Sequence, residues 1–258
     1  MDYGLKGRVV VITGAAGGIG AALTRAYGAQ GARLVLIDRA HSNVKAVADS
    51  LPGESLVIEA ELTDDASVAA AVARLRDRCA DIDVLVNNAG TEYATPLRTG
   101  TLDFMDKWDA LVRNNVGSMV RLTRALLPLM RSGASIINQS SIWGLKGVPE
   151  FSAYVASKHA VIGVTRSLAW ELAASGIRVN AVCPGWVQTE AAIRSLEVMA
   201  QASSRTSAAV LKEILAGQVT PTFLQPSDLA GIFLFLASDG ARAISGQALV
   251  VSHGEVMN

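Results

Sequence analysis

The sequence predicts an α/β protein: a doubly wound parallel sheet in a single domain spanning 1–258. Three observations carry the prediction. Short apolar runs alternate with amphipathic stretches along the chain, a glycine cluster follows directly on the first run, and no linker, low-complexity tract or repeat breaks the alternation.

Taken in order, RVVVI (8–12) reads as the first strand and 18–30 as the helix after it. RLVLI (33–37) precedes a helix at 42–50, and SLVIEA (55–60) precedes one at 65–79. DVLV (83–86) leads into a long helical region from about 103 to 131, and SIINQ (135–139) into a helix at 152–174. IRVNAV (177–182) and QALVV (247–251) complete the strands. Continuous apolar runs of this length, separated by helices, suit strands covered on both faces. The segment 186–226 breaks the rhythm, with helical pieces at 190–202 and 207–216 and no strand. Ligands of open α/β sheets sit outside the carboxyl ends of the strands, so this insertion is expected to be a helical substrate lid, with a plain surface excursion as the alternative.

Half of the 258 residues are hydrophobic, enough for a substantial core. The 23 basic and 23 acidic residues cancel, which removes the broad electrostatic footprint of a nucleic-acid binder or a protein held on anionic lipid. The expected partner is a small molecule or another copy of the chain. Cys79 and Cys183 lie far apart with no C-x-x-C spacing, and His41, His159 and His253 form no ligand pattern, so no metal is expected. MDYGLKGRVVVITG has neither a signal-peptide layout nor an apolar run long enough to span a bilayer, and a cytoplasmic setting is expected.

TGAAGGIG (13–20) places Gly14, Gly18 and Gly20 between the first strand and its helix. There glycines allow a tight turn and let a pyrophosphate reach backbone N–H groups at the positive helix end. Asp38 closes the second strand eighteen residues after Gly20, where a carboxylate can accept hydrogen bonds from the adenosine ribose and repel a 2′-phosphate. NAD is therefore expected over NADP. Arg39 could pair a phosphate, but Gly17 offers no second cation.

SAYVASKHA (152–160) sets Tyr154 and Lys158 four apart, neighbours on one helix face. A phenol with a pKa of about 10 needs about 4 kcal/mol of help to serve near neutral pH. An ammonium about 5 Å away, at an effective dielectric near 20, supplies about 3 kcal/mol.

With NNAG (87–90) after the fourth strand and NQSSIWG (138–144) ending the fifth, the sequence resembles the short-chain dehydrogenase/reductase family nearly end to end. The motifs fall in family order: TGAAGGIG, Asp38, NNAG, Asn115 seven after Trp108, Ser141, YVASK and PGWVQT (184–189). The resemblance implies a Rossmann-like fold, Tyr154 as general acid/base and Lys158 lowering its pKa while holding the nicotinamide ribose. It also implies Ser141 on the substrate oxygen and Asn115 supporting a proton-relay water. For the cofactor it implies Gly14, Gly18, Ile19, Gly20, Asp38, Leu62 through its backbone, Asn88, Ala89, Gly90, Pro184 and Gly185, with Val187 and Thr189 on the carboxamide. The substrate would meet Ser141, Trp143, Tyr154 and Trp186, with Glu92, Tyr93, Leu145, Lys146 and Glu150 nearby. A homotetramer paired through the helices near 103–131 and 152–174 is also implied.

Three departures stand out: Glu61 where the family has aspartate, Ser118 where glycine is common, and VVSHGE (250–255) in place of an aspartate–glycine–glycine turn. The expected reaction is hydride transfer between NAD(H) and a secondary alcohol or ketone, such as a sugar, polyol, hydroxy acid or ring alcohol. Two alternatives stay open: an NADPH-dependent reductase of carrier-bound 3-oxoacyl groups, and a non-catalytic NAD-binding scaffold.

Overall fold

The first apolar run buries both of its faces: Val9 and Val11 enter one core, Val10 and Ile12 the other. This is the signature of a central strand, and the computed structural model, which describes residues 1–98 and 102–257, places it so. In chain order the strands are β1 (Val9–Thr13), β2 (Arg33–Asp38), β3 (Ser55–Glu59), β4 (Ile82–Asn87), β5 (Met130–Gln139), β6 (Arg178–Pro184) and β7 (Ala248–Val251). They form one parallel sheet in the order β3-β2-β1-β4-β5-β6-β7.

Helices cover both faces: α1 (Gly18–Ala29), α2 (Val44–Asp49), α3 (Asp65–Arg76), α4 (Phe104–Val112), α5 (Ser118–Leu126), α6 (Ser152–Glu171), α7 (Glu190–Ala202), α8 (Ser207–Ala216) and α9 (Ala230–Ala237). Val68, Val72 and Leu75 of α3 and Leu122 and Leu126 of α5 pack on Val9, Val11, Val35 and Ile37. On the other face, Leu23 and Tyr27 of α1 and Phe233 and Leu234 of α9 pack on Val10, Ile12, Leu34 and Leu36. Each such side chain contributes about 1.5–3 kcal/mol by leaving water. The Tyr27 hydroxyl is buried with them and donates to the Phe233 carbonyl at 3.0 Å, so its polar end is satisfied.

The chain leaves β1 toward β2 and β3, then returns to build the sheet outward from β4. Strand order reverses between β1 and β4, which opens a crevice at their carboxyl ends. All the candidate chemistry gathers around that crevice.

The helical region expected at about 103–131 is found at 104–129: α4 passes through a π-turn at Arg113–Gly117 into α5, and a 3-10 turn at Leu127–Leu129 carrying Pro128 ends it. The strand that follows is longer than expected. Proline cannot continue the backbone ladder, so β5 starts at Met130 rather than at Ser135. The register slips between the Ile82–Met130 and Val84–Ser135 pairs to absorb the added residues. The two helical pieces of 186–226 fall where expected, as α7 and α8, each capped by a threonine: Thr189 accepts from the Ala192 N–H and Thr206 from the Ala209 N–H, both at 3.2 Å.

Candidate active site

β1 runs into the glycine loop at Thr13. Gly14 turns the chain at φ 62°, and a Cβ on Gly20 would stand 1.9 Å from the Gly14 carbonyl oxygen, so only glycine fits there. The first turn of α1 contains no acidic residue and receives no side-chain cap, leaving its N–H groups directed at the crevice. Thr13 joins this loop to the next one. Its hydroxyl accepts from the N–H groups of Asn88 and Ala89, both at 3.0 Å, while the Asn88 amide donates to the carbonyls of Thr13 and Gly14, also at 3.0 Å. Asp38, at the end of β2, accepts from the N–H groups of Ala16 and Arg39 at 2.8 Å each, which fixes its carboxylate at the rim.

A cavity of about 740 Å³ runs from this loop to α6 and α7. Gly14, Gly18, Ile19, Gly20, Asp38, Asn88 and Ala89 line one end, and Gly90, Pro184, Gly185, Val187 and Thr189 line the cavity too. Ser141, Trp143, Tyr154, Lys158 and Trp186 line the other end. These residues, the uncapped helix end and the missing Cβ of Gly20 fit an elongated dinucleotide. Leu62 is not in the cavity wall; its side chain packs in the core with α3.

At the far end α6 brings Tyr154 and Lys158 one turn apart, with Lys158 Nζ 5.5 Å from the centroid of the phenol ring. Lys158 is anchored at both ends: Nζ donates to the Gln139 carbonyl at 2.9 Å, and its backbone carbonyl accepts from the Ser140 hydroxyl at 2.8 Å. Gly144 makes room for that anchoring, since a Cβ there would lie 2.6 Å from Ser140 Oγ and 2.7 Å from the Lys158 carbonyl oxygen. Ser141 accepts from the Trp143 N–H at 3.1 Å, and its side chain opposes the effect of burial on the Tyr154 phenol.

Asn115 stands in the π-turn, where the wider spiral turns its side chain inward. It accepts from the Thr91 N–H at 2.8 Å and donates to the Thr91 carbonyl at 2.9 Å and to Ser157 Oγ at 3.0 Å. Its side chain is thus engaged in joining the loop after β4 to α6.

The electrostatics differ from the simple tyrosine–lysine pair. Burial pushes the Tyr154 phenol well above its ordinary value, the charge of Glu92 adds to this, and the bond to Ser141 opposes it. Burial also pulls Lys158 down to about 8, with Glu92 and Cys183 opposing. The lysine is itself too desolvated, and too committed to Gln139, to outweigh the burial of the phenol. The Cys183 thiol behind it is pushed up to about 11 by burial, the state of a packing group rather than a nucleophile.

The substrate end is aromatic. Trp143 lies 5.0 Å from Phe151, 5.8 Å from Tyr154 and 5.7 Å from Trp186 between ring centroids, the last two edge-on, and Leu196 and Ala192 of α7 close over them. Glu92 and Arg194 also line the cavity, and the Glu92 carboxyl accepts from the Ser195 hydroxyl on α7.

Other pocket expectations are not met, since Tyr93, Leu145, Lys146 and Glu150 lie outside the wall. Tyr93 donates to the Lys107 carbonyl at 2.6 Å, and Glu150 turns at φ 70° so that its carbonyl accepts from the Thr95 N–H at 2.6 Å. Lys146 pairs with Glu255 at 2.6 Å, so the unusual VVSHGE segment ties the loop after Ser141 to the C-terminal tail.

Sequence reasoning missed Thr13, Gln139, Ser140, Ser157 and Ser195. Thr13 and Ser157 stand inside motifs that were read for their neighbours, TGAAGGIG and YVASK, and Ser140 adjoins Ser141. Gln139 acts through its carbonyl, which no residue type announces. Among the described residues no group of His, Cys, Asp or Glu is gathered to hold a metal ion, and no helix is long and apolar enough to cross a membrane.

Residues 14–255 match the family model described as enoyl-(acyl carrier protein) reductase. The chain is 41% identical to a ketoacyl reductase named for the monensin polyketide synthase of Streptomyces virginiae, over 96% of both chains. It is 34% identical to a D-beta-hydroxybutyrate dehydrogenase of Rhizobium meliloti, over 96% of this chain and 98% of the relative. The L-sorbose reductase of Gluconobacter frateurii, solved with NADPH and L-sorbose, superposes with a TM-score of 0.90 at 29% identity over the whole of both chains. These matches extend over nearly the whole chain, and they show its family: the chain belongs to the short-chain dehydrogenase/reductase family and is an oxidoreductase of that type.

Proposed function

We propose that the protein interconverts a secondary alcohol and a ketone with NAD(H), Tyr154 acting as the general acid/base. One observation carries this reading: the Tyr154 phenol, one turn from Lys158 and lining one cavity with Ser141, shares that cavity with the glycine loop and Asp38. Bound nicotinamide supplies the hydride acceptor for the carbinol hydrogen, or the donor in reverse. The chain's residues handle the rest. Ser141 donates to the substrate oxygen, the Tyr154 phenolate takes the hydroxyl proton as the C–H hydride departs, and the phenol returns it to the forming alkoxide in reduction. Lys158 holds the nicotinamide ribose and biases the phenol toward ionisation. Asn115 holds Thr91 and Ser157 in place behind the proton path. The helices α7 and α8 act as the lid, Val187 and Thr189 hold the carboxamide and the Leu62 N–H serves the adenine.

The choice of NAD rests on Asp38, whose fixed carboxylate meets the adenosine ribose and repels a 2′-phosphate. Asp38→Ser combined with Gly17→Arg is expected to lower the NAD-to-NADP ratio of kcat/KM by about tenfold or more, a charge reversal of a few kcal/mol. An unchanged ratio would place the adenosine elsewhere. The relative named as a ketoacyl reductase favours a second reading, an NADPH-dependent reductase of 3-oxoacyl thioesters. Formation of reduced cofactor, followed by its absorbance with NAD and NADP against polyols, sugars, hydroxy acids, ring alcohols and a 3-hydroxyacyl thioester, separates the two.

We also infer a homotetramer. Trp170 on α6, 86% exposed, and Val120 on α5, 38% exposed, are apolar groups on the helices through which it would pair. Light scattering after size exclusion is expected to give four chains; a monomer would sink this.

A further inference from the structure

The cavity that holds Tyr154 and the two tryptophans also holds the carboxyl group of Glu92. Glu92 follows the NNAG loop, lines the cavity and is held from across it by the Ser195 hydroxyl of α7, a contact between residues 103 positions apart. The charges around it are few. Lys158 is committed to the Gln139 carbonyl, and Arg194 is 64% exposed with Glu190 at 3.8 Å. Trp143, Trp186 and Tyr154 line the same cavity and pack edge-on against one another through Trp143. The Glu92 carboxyl is close enough to the reacting end to raise both Tyr154 and Lys158, so a group on a substrate bound there meets the same field.

We propose that Glu92 selects the substrate: its carboxyl receives a hydroxyl hydrogen from a neutral, hydroxylated ketone or alcohol and turns away substrates that carry a carboxylate near the reacting carbon. This rests on the dehydrogenase reading for its chemistry and deepens it by naming the substrate class. The selection is made by the ionised carboxylate, which accepts the hydroxyl hydrogen of the ligand and repels an anion. The aromatic wall takes the apolar face of the same ligand, as ring-bearing and polyol substrates require. Among hydroxy compounds, the hydroxy acids are therefore set apart from the neutral alcohols.

The test compares two ketones on one ring, 3-(hydroxymethyl)cyclohexanone and 3-oxocyclohexane-1-carboxylate, in wild type and Glu92→Gln. The amide keeps the size of the side chain and can still accept from Ser195. Oxidation of reduced cofactor gives kcat/KM, and saturation-transfer NMR of the same two ketones with cofactor present gives binding without turnover. The wild type is expected to favour the hydroxymethyl compound, and Glu92→Gln to narrow that preference by about tenfold or more, with cofactor affinity unchanged. A wild type that prefers the carboxylate, a ratio unmoved by the substitution, or no binding of either ketone overturns the proposal. If the binding preference and its loss are seen while neither ketone turns over, Glu92 keeps its assignment and the dehydrogenase reading is what fails.

Discussion

Tyr154→Phe is expected to lower kcat by about a thousandfold or more while leaving cofactor affinity within about twofold of wild type. The hydroxyl is the one atom lost, and general acid/base groups contribute about 10²–10⁴ in rate. The ring stays, and with it the edge-on contact to Trp143 at 5.8 Å, so the aromatic wall and the fold keep their packing. A residue that merely packed would tolerate this change. The pH dependence sharpens the test. Burial and the Glu92 charge hold the phenol in its protonated form in the protein alone, so phenolate must be created by added positive charge or rising pH. Alcohol oxidation should then accelerate as pH rises through the neutral and alkaline range, and the residual activity of Tyr154→Phe should lose that rise. Stopped-time assays with wild type and variant across pH, beside fluorescence titration of the reduced cofactor, check both statements. Retained turnover would remove the proposed acid/base.

What was legible in the sequence was what short-range chemistry dictates. Val9–Thr13 and Ile82–Asn87 are apolar on both faces because they are central strands, and their runs could be placed within one residue. TGAAGGIG had to be a loop between strand and helix because Gly14 and Gly20 stand where a side chain cannot. The errors lie where a tertiary condition overrides a local pattern. Residues 103–131 read as a helical region, which holds for 104–129, but Met130–Gln139 is drawn into the sheet by pairing with β4, five residues earlier than the apolar run SIINQ suggests. Lys146 and Glu150 read as pocket charges because they follow Ser141. Glu255, more than a hundred positions away, claims the first, and a left-handed turn carries the second out of the wall. The Glu92–Ser195 bond is invisible for the same reason: nothing local couples the loop after β4 to α7.

Lys158→Met should make the protein more stable and far less active, and the two effects have one cause. Lys158 is 3% exposed, and burial brings its pKa from the ordinary 10.5 down to about 8. Between those values the unfolded chain still holds a proton that the folded chain has shed, so stability rises with pH from about 8 to about 10.5. Below about pH 8 both states carry the proton, and the folded state bears the whole cost of the buried charge, at most about 3 kcal/mol. Methionine fills the same space without a charge, and the Gln139 carbonyl that loses its donor lines the cavity, where water replaces it. Thermal denaturation of the two proteins should therefore show the variant ahead at neutral pH by about 2 kcal/mol, with the advantage fading as pH climbs through 8 toward 10.5. Activity should move the other way. Loss of the ammonium removes the group proposed to meet the nicotinamide ribose and the positive charge beside the Tyr154 ring, so cofactor affinity should fall about tenfold and kcat about a hundredfold or more. An active site that retains a desolvated ammonium at a cost in stability retains it for what it does there. Unchanged affinity for the cofactor would contradict the ribose contact, and unchanged stability at neutral pH would show that the folded protein has already solvated or paired the charge.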